Sequence, residues 1–218
     1  MKELHPNEGL KIFDIKWQVQ TAGPSPNNNE RIEVFLLGCD KAMNGNPCKG
    51  CFNSVTWDKS IAQCSRDPIE VADMINKGCN PDNKYITIGG GEPTDQLNAL
   101  IPFVKRLKEH DFHILMYTWK ELKSIAYDKF YQELLRYVDI IVDGEYKAEE
   151  SLLAFNSKNT ARNFVGSGNQ IVWEISPVVY GFALRDINNL SLCKEDLYGA
   201  KNVLYYDVRE NAVMQTLD

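Results

Sequence analysis

The chain has 218 residues, a formal net charge of -6, 44% hydrophobic and 25% charged residues, and a mean hydropathy of -0.36. That length accommodates one sizeable α/β domain with an appendage, and no apolar run approaches the ~18 residues of a membrane span. The acidic balance argues against a nucleic-acid binder, which normally carries a basic stripe, and Met1 to Pro6 has no apolar core of a secretory signal. A cytoplasmic protein without membrane or nucleic-acid partners is expected.

Taken in order, Gly9 to Gln20 alternates Ile12, Phe13, Ile15, Trp17 and Val19 with polar residues, the period of a half-buried strand. Turn formers at 23–29 end it. Ile32 to Leu37 is rich in branched and aromatic residues, which predicts a buried strand, and it empties into Gly38 and Cys39. Asp67 and Pro68 read as an N-cap and first helical position. The helix they start buries Val71, Ala72 and Ile75 and closes at Gly78, a C′ residue.

Lys84 to Ile88 is a further strand that runs into Gly89-Gly90-Gly91-Glu92-Pro93. Leu97, Leu100, Ile101, Val104 and Leu107 recur at helical spacing, with a start near Asn98 so that Pro102 falls in the first turn. His113 to Thr118 predicts a strand, Leu122 to Ala126 and Phe130 to Leu135 helical segments, and Val138 to Val142 another strand ending at Asp143-Gly144. Strands alternating with helices imply parallel pairing, with ligands beyond the carboxyl ends of the strands. Cys39, Gly89 to Glu92, Thr118 and Asp143 fall at those ends. Past Gln170 the pattern loosens, although 203–206 and 212–214 flank a turn and predict a hairpin.

Six cysteines in a cytoplasmic chain point to metal or redox chemistry before disulfides. Cys39 is followed after eight residues by Cys48, and Cys48 after two by Cys51. Structural zinc and ordinary iron–sulfur sites take four protein ligands. Three thiols can therefore hold three irons of a [4Fe-4S] cluster with one iron open, or half a zinc ribbon that Cys64 or Cys79 completes; spacing does not separate the two. Cys64, Cys79 and Cys193 fit no close spacing and read as free thiols. His5, His110 and His113 read as surface or packing residues. The glycine run at a strand end lets backbone approach a ligand closely, and Glu92 adds a carboxylate for an ammonium group.

The three-cysteine loop followed by Gly90-Gly91-Glu92-Pro93 resembles the radical S-adenosylmethionine superfamily. Within it, Gly38-Cys39, Cys48-Lys49-Gly50-Cys51-Phe52-Asn53, Thr56-Trp57, Val142-Asp143-Gly144 and Gly166-Ser167-Gly168-Asn169-Gln170 resemble the proteins that activate anaerobic (class III) ribonucleotide reductases. The resemblance implies an α/β fold of the partial (β/α)6 open-barrel type with parallel strands, over a core at 1–174 with a C-terminal extension at 175–218. It implies that Cys39, Cys48 and Cys51 ligate a [4Fe-4S] cluster and that Gly89, Gly90, Gly91, Glu92, Phe52, Thr118, Asp143, Asn169 and Gln170 contact S-adenosyl-L-methionine.

The implied reaction is reductive cleavage of that cofactor to a 5′-deoxyadenosyl radical, which abstracts a hydrogen from a glycine of the reductase large subunit. A flavodoxin or ferredoxin supplies the electron. The alternatives are a radical enzyme for a small molecule, of the 7-carboxy-7-deazaguanine synthase type, and a non-catalytic zinc-binding interaction module. A shorter first spacer is usual in the family. A longer one still returns its ends to one cluster, since each doubling of a loop costs only ~0.6 kcal/mol.

Overall fold

The computed structural model describes residues 9–20, 23, 25, 30–60, 65–151, 164–178, 181–188, 203–207 and 212–215. By contact the chain divides into one unit of Met1–Pro47 with Cys51–Tyr117 and another of Cys48–Gly50 with Thr118–Asp218.

The first unit contains strands β1 (Leu10–Val19), β2 (Arg31–Leu36), β3 (Ser65–Arg66), β4 (Tyr85–Gly90) and β5 (His113–Tyr117), and helices α1 (Asp40–Met43), α2 (Pro68–Gly78) and α3 (Leu97–Glu109). Its strands are ordered β5-β4-β2-β1-β3. β2 runs parallel to β4, with Ile32 opposite Ile86 and Leu36 opposite Gly90, and β4 runs parallel to β5. The crossovers anticipated from the strand–helix alternation are α2 and α3. β1 is antiparallel to β2, and two register shifts interrupt it. Those shifts break its period-2 alternation, and Phe13 and Trp17 come out 42% and 43% exposed.

Local chemistry explains the helix limits. The Asp67 carboxylate accepts from the Ile69 and Glu70 amides at 2.8 and 2.9 Å, and Val71, Ala72 and Ile75 are buried as the period requires. The helix ends at Gly78 as the sequence predicts, but Gly78 is its last helical residue and not a C′ residue, with Cys79 as the cap. The expected start of α3 near Asn98 holds to within one residue, but the expected place of Pro102 in the first turn does not. The helix begins at Leu97 after a 3-10 turn at Pro93–Gln96, so Pro102 lies inside it and gives the Asn98 carbonyl no N–H. Burial of Ala99, Leu100, Phe103, Val104 and Leu107 on one face outweighs that loss.

Arg31 is fully buried at the start of β2. Its guanidinium donates to Thr87 Oγ1 at 2.8 Å, the Ile86 carbonyl at 2.6 Å and the His113 carbonyl at 3.2 Å, and it lies 5.5 Å from the Tyr85 ring centroid. One side chain thus pins three parallel strands where they begin.

The second unit contains helices α4 (Leu122–Ile125) and α5 (Lys129–Leu135) and strands β6 (Ile140–Asp143), β7 (Ile171–Val178), β8 (Gly181–Asp186), β9 (Val203–Asp207) and β10 (Ala212–Gln215). The order β6-β7-β8-β9-β10 is antiparallel throughout. The expectation of parallel pairing therefore holds for β2, β4 and β5, whereas β7 to β10 pair antiparallel with their neighbours. A short connection such as that between β7 and β8 can only turn a strand back antiparallel. β9 and β10 form the hairpin anticipated at the C-terminus. The chain is a mixed α/β protein, and among the described residues no helix is long and apolar enough to cross a membrane. Cys64, Cys193 and His5 lie outside the described residues.

Candidate iron–sulfur and cofactor site

β2 ends by delivering Cys39, which is 7% exposed, to the N-cap of α1. The backbone around it is fully engaged. Gly38 N–H donates to the Thr56 carbonyl at 2.7 Å and Cys39 N–H to the Trp57 carbonyl at 3.1 Å, so the segment after Cys51 returns to lie along the segment before Cys39. The spacer at 40–47 is not an open loop. Asp40 to Met43 form one helical turn, and the Asn44 and Gly45 amides close back on the Asp40 and Ala42 carbonyls at 2.9 and 3.0 Å. Lys59 Nζ pairs with the Asp40 carboxylate.

The glycine run has a role that its sequence leaves open. Gly90 adopts φ 101, and a Cβ there would lie 2.5 Å from the Leu36 backbone; one at Gly91 would lie 2.1 Å from the Gly38 carbonyl oxygen. Only glycine permits that approach, so two of the three glycines are spent on fitting the cysteine-bearing backbone. Gly89 keeps room on its open side, with Tyr117 the nearest atom at 3.9 Å. Glu92 is 1% exposed, and its carboxylate accepts from Thr94 N–H and Oγ1 at 3.1 and 2.5 Å.

Burial pushes the Cys39 thiol pKa up, against the lowering effect of the Ala42 amide; the charges of Glu92 and Asp95 and the neighbouring Cys51 push it further up. A buried thiol among carboxylates binds a cation well, because metal ligation releases its proton and neutralises the surrounding negative charge. The donor set also suits iron–sulfur chemistry, since none of Cys39, Cys48 and Cys51 is tied up in a disulfide. Among the described residues, no three His, Cys, Asp or Glu side chains are grouped as a ready-made metal centre. Cys51 belongs to the first unit and Cys48 to the second. Phe52, next to Cys51, is 67% exposed.

In the second unit, Thr118 and Asp143 are each 4% exposed. Thr118 Oγ1 accepts from the Lys120 amide at 3.1 Å, and the Asp143 carboxylate caps α4 by accepting from Leu122 N–H at 2.6 Å. Burial raises the Asp143 pKa to about 6, although the Leu122 amide, the Trp173 indole and the Ile171 amide oppose the rise. Gln170 Oε1 accepts from the Gly166 and Ser167 amides at 2.8 and 3.1 Å while its Nε2 donates to the Gly144 carbonyl at 3.0 Å. Asn169 Nδ2 donates to the Glu145 carbonyl at 2.8 Å. Asn169 and Gln170 thus bind the 166–170 turn to the strand end at Asp143-Gly144.

The 4Fe-4S single cluster domain family matches residues 28–173. The anaerobic ribonucleoside-triphosphate reductase-activating protein of Haemophilus influenzae is 30% identical over 146 residues, covering 65% of this chain and 86% of that protein. The chain belongs to the family of the anaerobic ribonucleoside-triphosphate reductase-activating proteins. The member from Pasteurella multocida is 27% identical over 154 residues, 67% of this chain and 88% of its own length. The member from Enterobacteria phage T4 is 28% identical over 152 residues, 66% and 83% respectively.

Sequence reading missed Lys59, Asp95 and Gln96 in this family site. Gln96 Nε2 donates to the Leu37 carbonyl at 2.7 Å and its Oε1 accepts from the Lys11 amide at 2.8 Å, and Asp95 accepts from the Asp40 amide at 2.7 Å. The signal for Asp95 and Gln96 was position, since both follow Glu92-Pro93 in a turn that proline starts.

Proposed function

We propose that this chain is an iron–sulfur enzyme that generates a glycyl radical on an anaerobic ribonucleoside-triphosphate reductase. One observation carries the reading: the family match at 28–173 runs through the three-cysteine loop, the glycine-rich strand end and the 166–170 turn. In this reading Cys39, Cys48 and Cys51 would hold a [4Fe-4S] cluster that binds S-adenosyl-L-methionine. When bound, cluster and cofactor would supply one-electron reductive cleavage of S-adenosyl-L-methionine and so the hydrogen-atom abstraction that makes a glycyl radical on the reductase.

The residues of the chain bind, orient and exclude water. Gly89, Gly90 and Gly91 present backbone to the methionine end, and the Glu92 carboxylate receives the ammonium. Phe52, exposed beside Cys51, packs on the adenine or the cluster. Thr118, Asp143, Asn169 and Gln170 line the ribose and methionine side. Parallel β2, β4 and β5 with helical crossovers support a partial (β/α)6 barrel. The end of the family match at 173 supports a core at 1–174 and an extension at 175–218. The macromolecular partner is the glycyl-radical subunit of the reductase, the electron comes from a flavodoxin or ferredoxin, and the compartment is the cytoplasm.

The test is to mix anaerobically reconstituted, reduced protein with S-adenosyl-L-methionine and an anaerobic reductase. Electron paramagnetic resonance then reports a glycyl radical that depends on all three. A colourless protein carrying stoichiometric zinc and giving no radical sinks the proposal.

A further inference from the structure

Four backbone groups flanking Cys39 are held by the residues from Gly91 to Gln96. The Leu36 carbonyl accepts from Gly91 N–H at 2.8 Å and the Gly38 carbonyl from Glu92 N–H at 2.7 Å. The Leu37 carbonyl accepts from Gln96 Nε2, and the Asp40 amide donates to Asp95 Oδ2, each at 2.7 Å. The first two contacts are made by backbone and survive most substitutions. The last two depend on side chains, and they bracket Cys39: Gln96 fixes the carbonyl two residues before it, and Asp95 fixes the amide one residue after it.

Gln96 also takes the Lys11 amide at 2.8 Å, so it joins the first residues of β1 to the end of β2. Asp95 does more than accept one hydrogen bond, a task an asparagine would perform equally. Held at 2.7 Å on the amide of the residue that follows Cys39, its carboxylate also places a negative charge beside the Cys39 backbone. A fixed negative charge beside a thiolate-ligated centre favours the oxidised state, and hydrogen bonds that fix a ligand's backbone fix the ligand.

Resting on the iron–sulfur reading above, we propose that Asp95 and Gln96 are positioning residues that clamp the Cys39 segment for the cluster, and that the Asp95 charge also lowers the cluster's reduction potential. Neither side chain touches the reacting atoms. Their action runs through the Asp40 amide, the Leu37 carbonyl and the electrostatic field at Cys39.

The test uses the full chain, reconstituted anaerobically with iron and sulfide, as wild type, Asp95→Asn, Asp95→Ala and Gln96→Ala. Three quantities are read: the potential from a titration followed by electron paramagnetic resonance, the rate of iron loss to a chelator, and hydrogen exchange at the Asp40 amide. Asp95→Asn keeps the acceptor and loses the charge, so it retains iron while its reduction equilibrium constant rises about tenfold, or about 59 mV for one electron. Asp95→Ala shows the same rise, loses iron several-fold faster and exchanges the Asp40 amide faster. Gln96→Ala loses iron faster at an unchanged potential.

A wild-type potential in Asp95→Asn overturns the electrostatic part, and unchanged Asp40 exchange in Asp95→Ala overturns the clamp. A wild-type chain that takes up no cluster sinks the iron–sulfur reading and the potential with it. Asp40 exchange in that same metal-free chain still decides the clamp.

Discussion

Glu92 N–H donates to the Gly38 carbonyl at 2.7 Å, which ties the residue after the glycine run to the residue before the first cysteine of the loop. That bond requires the end of β4 to lie against the end of β2 with no side chain between them. A Cβ on residue 91 would meet the Gly38 oxygen at 2.1 Å, and neither backbone can give without breaking the bond next to it. Gly91→Ala therefore costs about 1–3 kcal/mol, the range for forced overpacking, read as a lower denaturant midpoint. Gly89→Ala, where the nearest atom is 3.9 Å away, leaves the midpoint close to wild type. Equal midpoints for the two variants would contradict the close-approach account.

The cysteines separate by environment. Cys79 is a free thiol that donates to the Asn76 carbonyl at 3.4 Å at the end of α2, whereas Cys39 is buried at the N-cap of α1, within electrostatic reach of Glu92, Asp95 and Cys51. Under the proposed function, Cys39→Ala, Cys48→Ala and Cys51→Ala each yield protein that no longer retains the brown cluster after gel filtration. Cys79→Ala keeps wild-type iron and sulfide content. Iron analysis of the four reconstituted variants checks this, and full iron retention in Cys48→Ala would remove that residue from the ligand set.

Much of this was legible because it is written in local chemistry. The N-cap at Asp67, the buried face of α2 and the strand leading to Cys39 follow from residue type and period alone. The glycine run was legible as a close approach, but its target was not. Which backbone it approaches depends on the parallel register of Leu36 against Gly90, a long-range fact. The start of α3 was legible to within one residue, but the proline rule reads one helix turn, and Pro102 lies inside the helix because five buried side chains hold that face in place. Strands β7 and β8 were not read at all, since their pairing partners, and not any sharp alternation, define them. Asp95 and Gln96 look like ordinary turn residues until the carbonyl and amide they hold are seen.

Arg31 supplies a stability prediction independent of any cofactor. It is fully buried and donates to Thr87, Ile86 and His113, so truncation leaves three acceptors without their donor inside the sheet. Arg31→Ala is expected to cost more than about 3 kcal/mol, since hydrogen bonds to charged groups are worth ~1.5–3 kcal/mol each and stranded acceptors add to the loss. Arg31→Lys restores charge but not the planar fork, and recovers less than half of it. Urea unfolding of the three proteins measures both values, and a lysine variant as stable as wild type would show that charge alone is what the sheet requires.

Asp143 gives the pH dependence. Burial raises its carboxyl pKa to about 6 in the folded chain, above the ordinary carboxylate value of 3.8, so the folded state binds the proton more tightly than the unfolded state. The sign follows from linkage: the contribution is fully present below the unfolded value and is lost as pH rises through about 6. The difference amounts to roughly 3 kcal/mol at about 1.36 kcal/mol per pKa unit. Asp143→Asn retains an oxygen to accept the Leu122 amide and carries no charge at any pH. Relative to wild type it should therefore gain stability between pH 4 and pH 7, by an amount of that order. Paired urea titrations at the two pH values check it, and the same wild-type-to-variant difference at both would mean that Asp143 titrates as an ordinary exposed carboxylate and that its burial is compensated elsewhere.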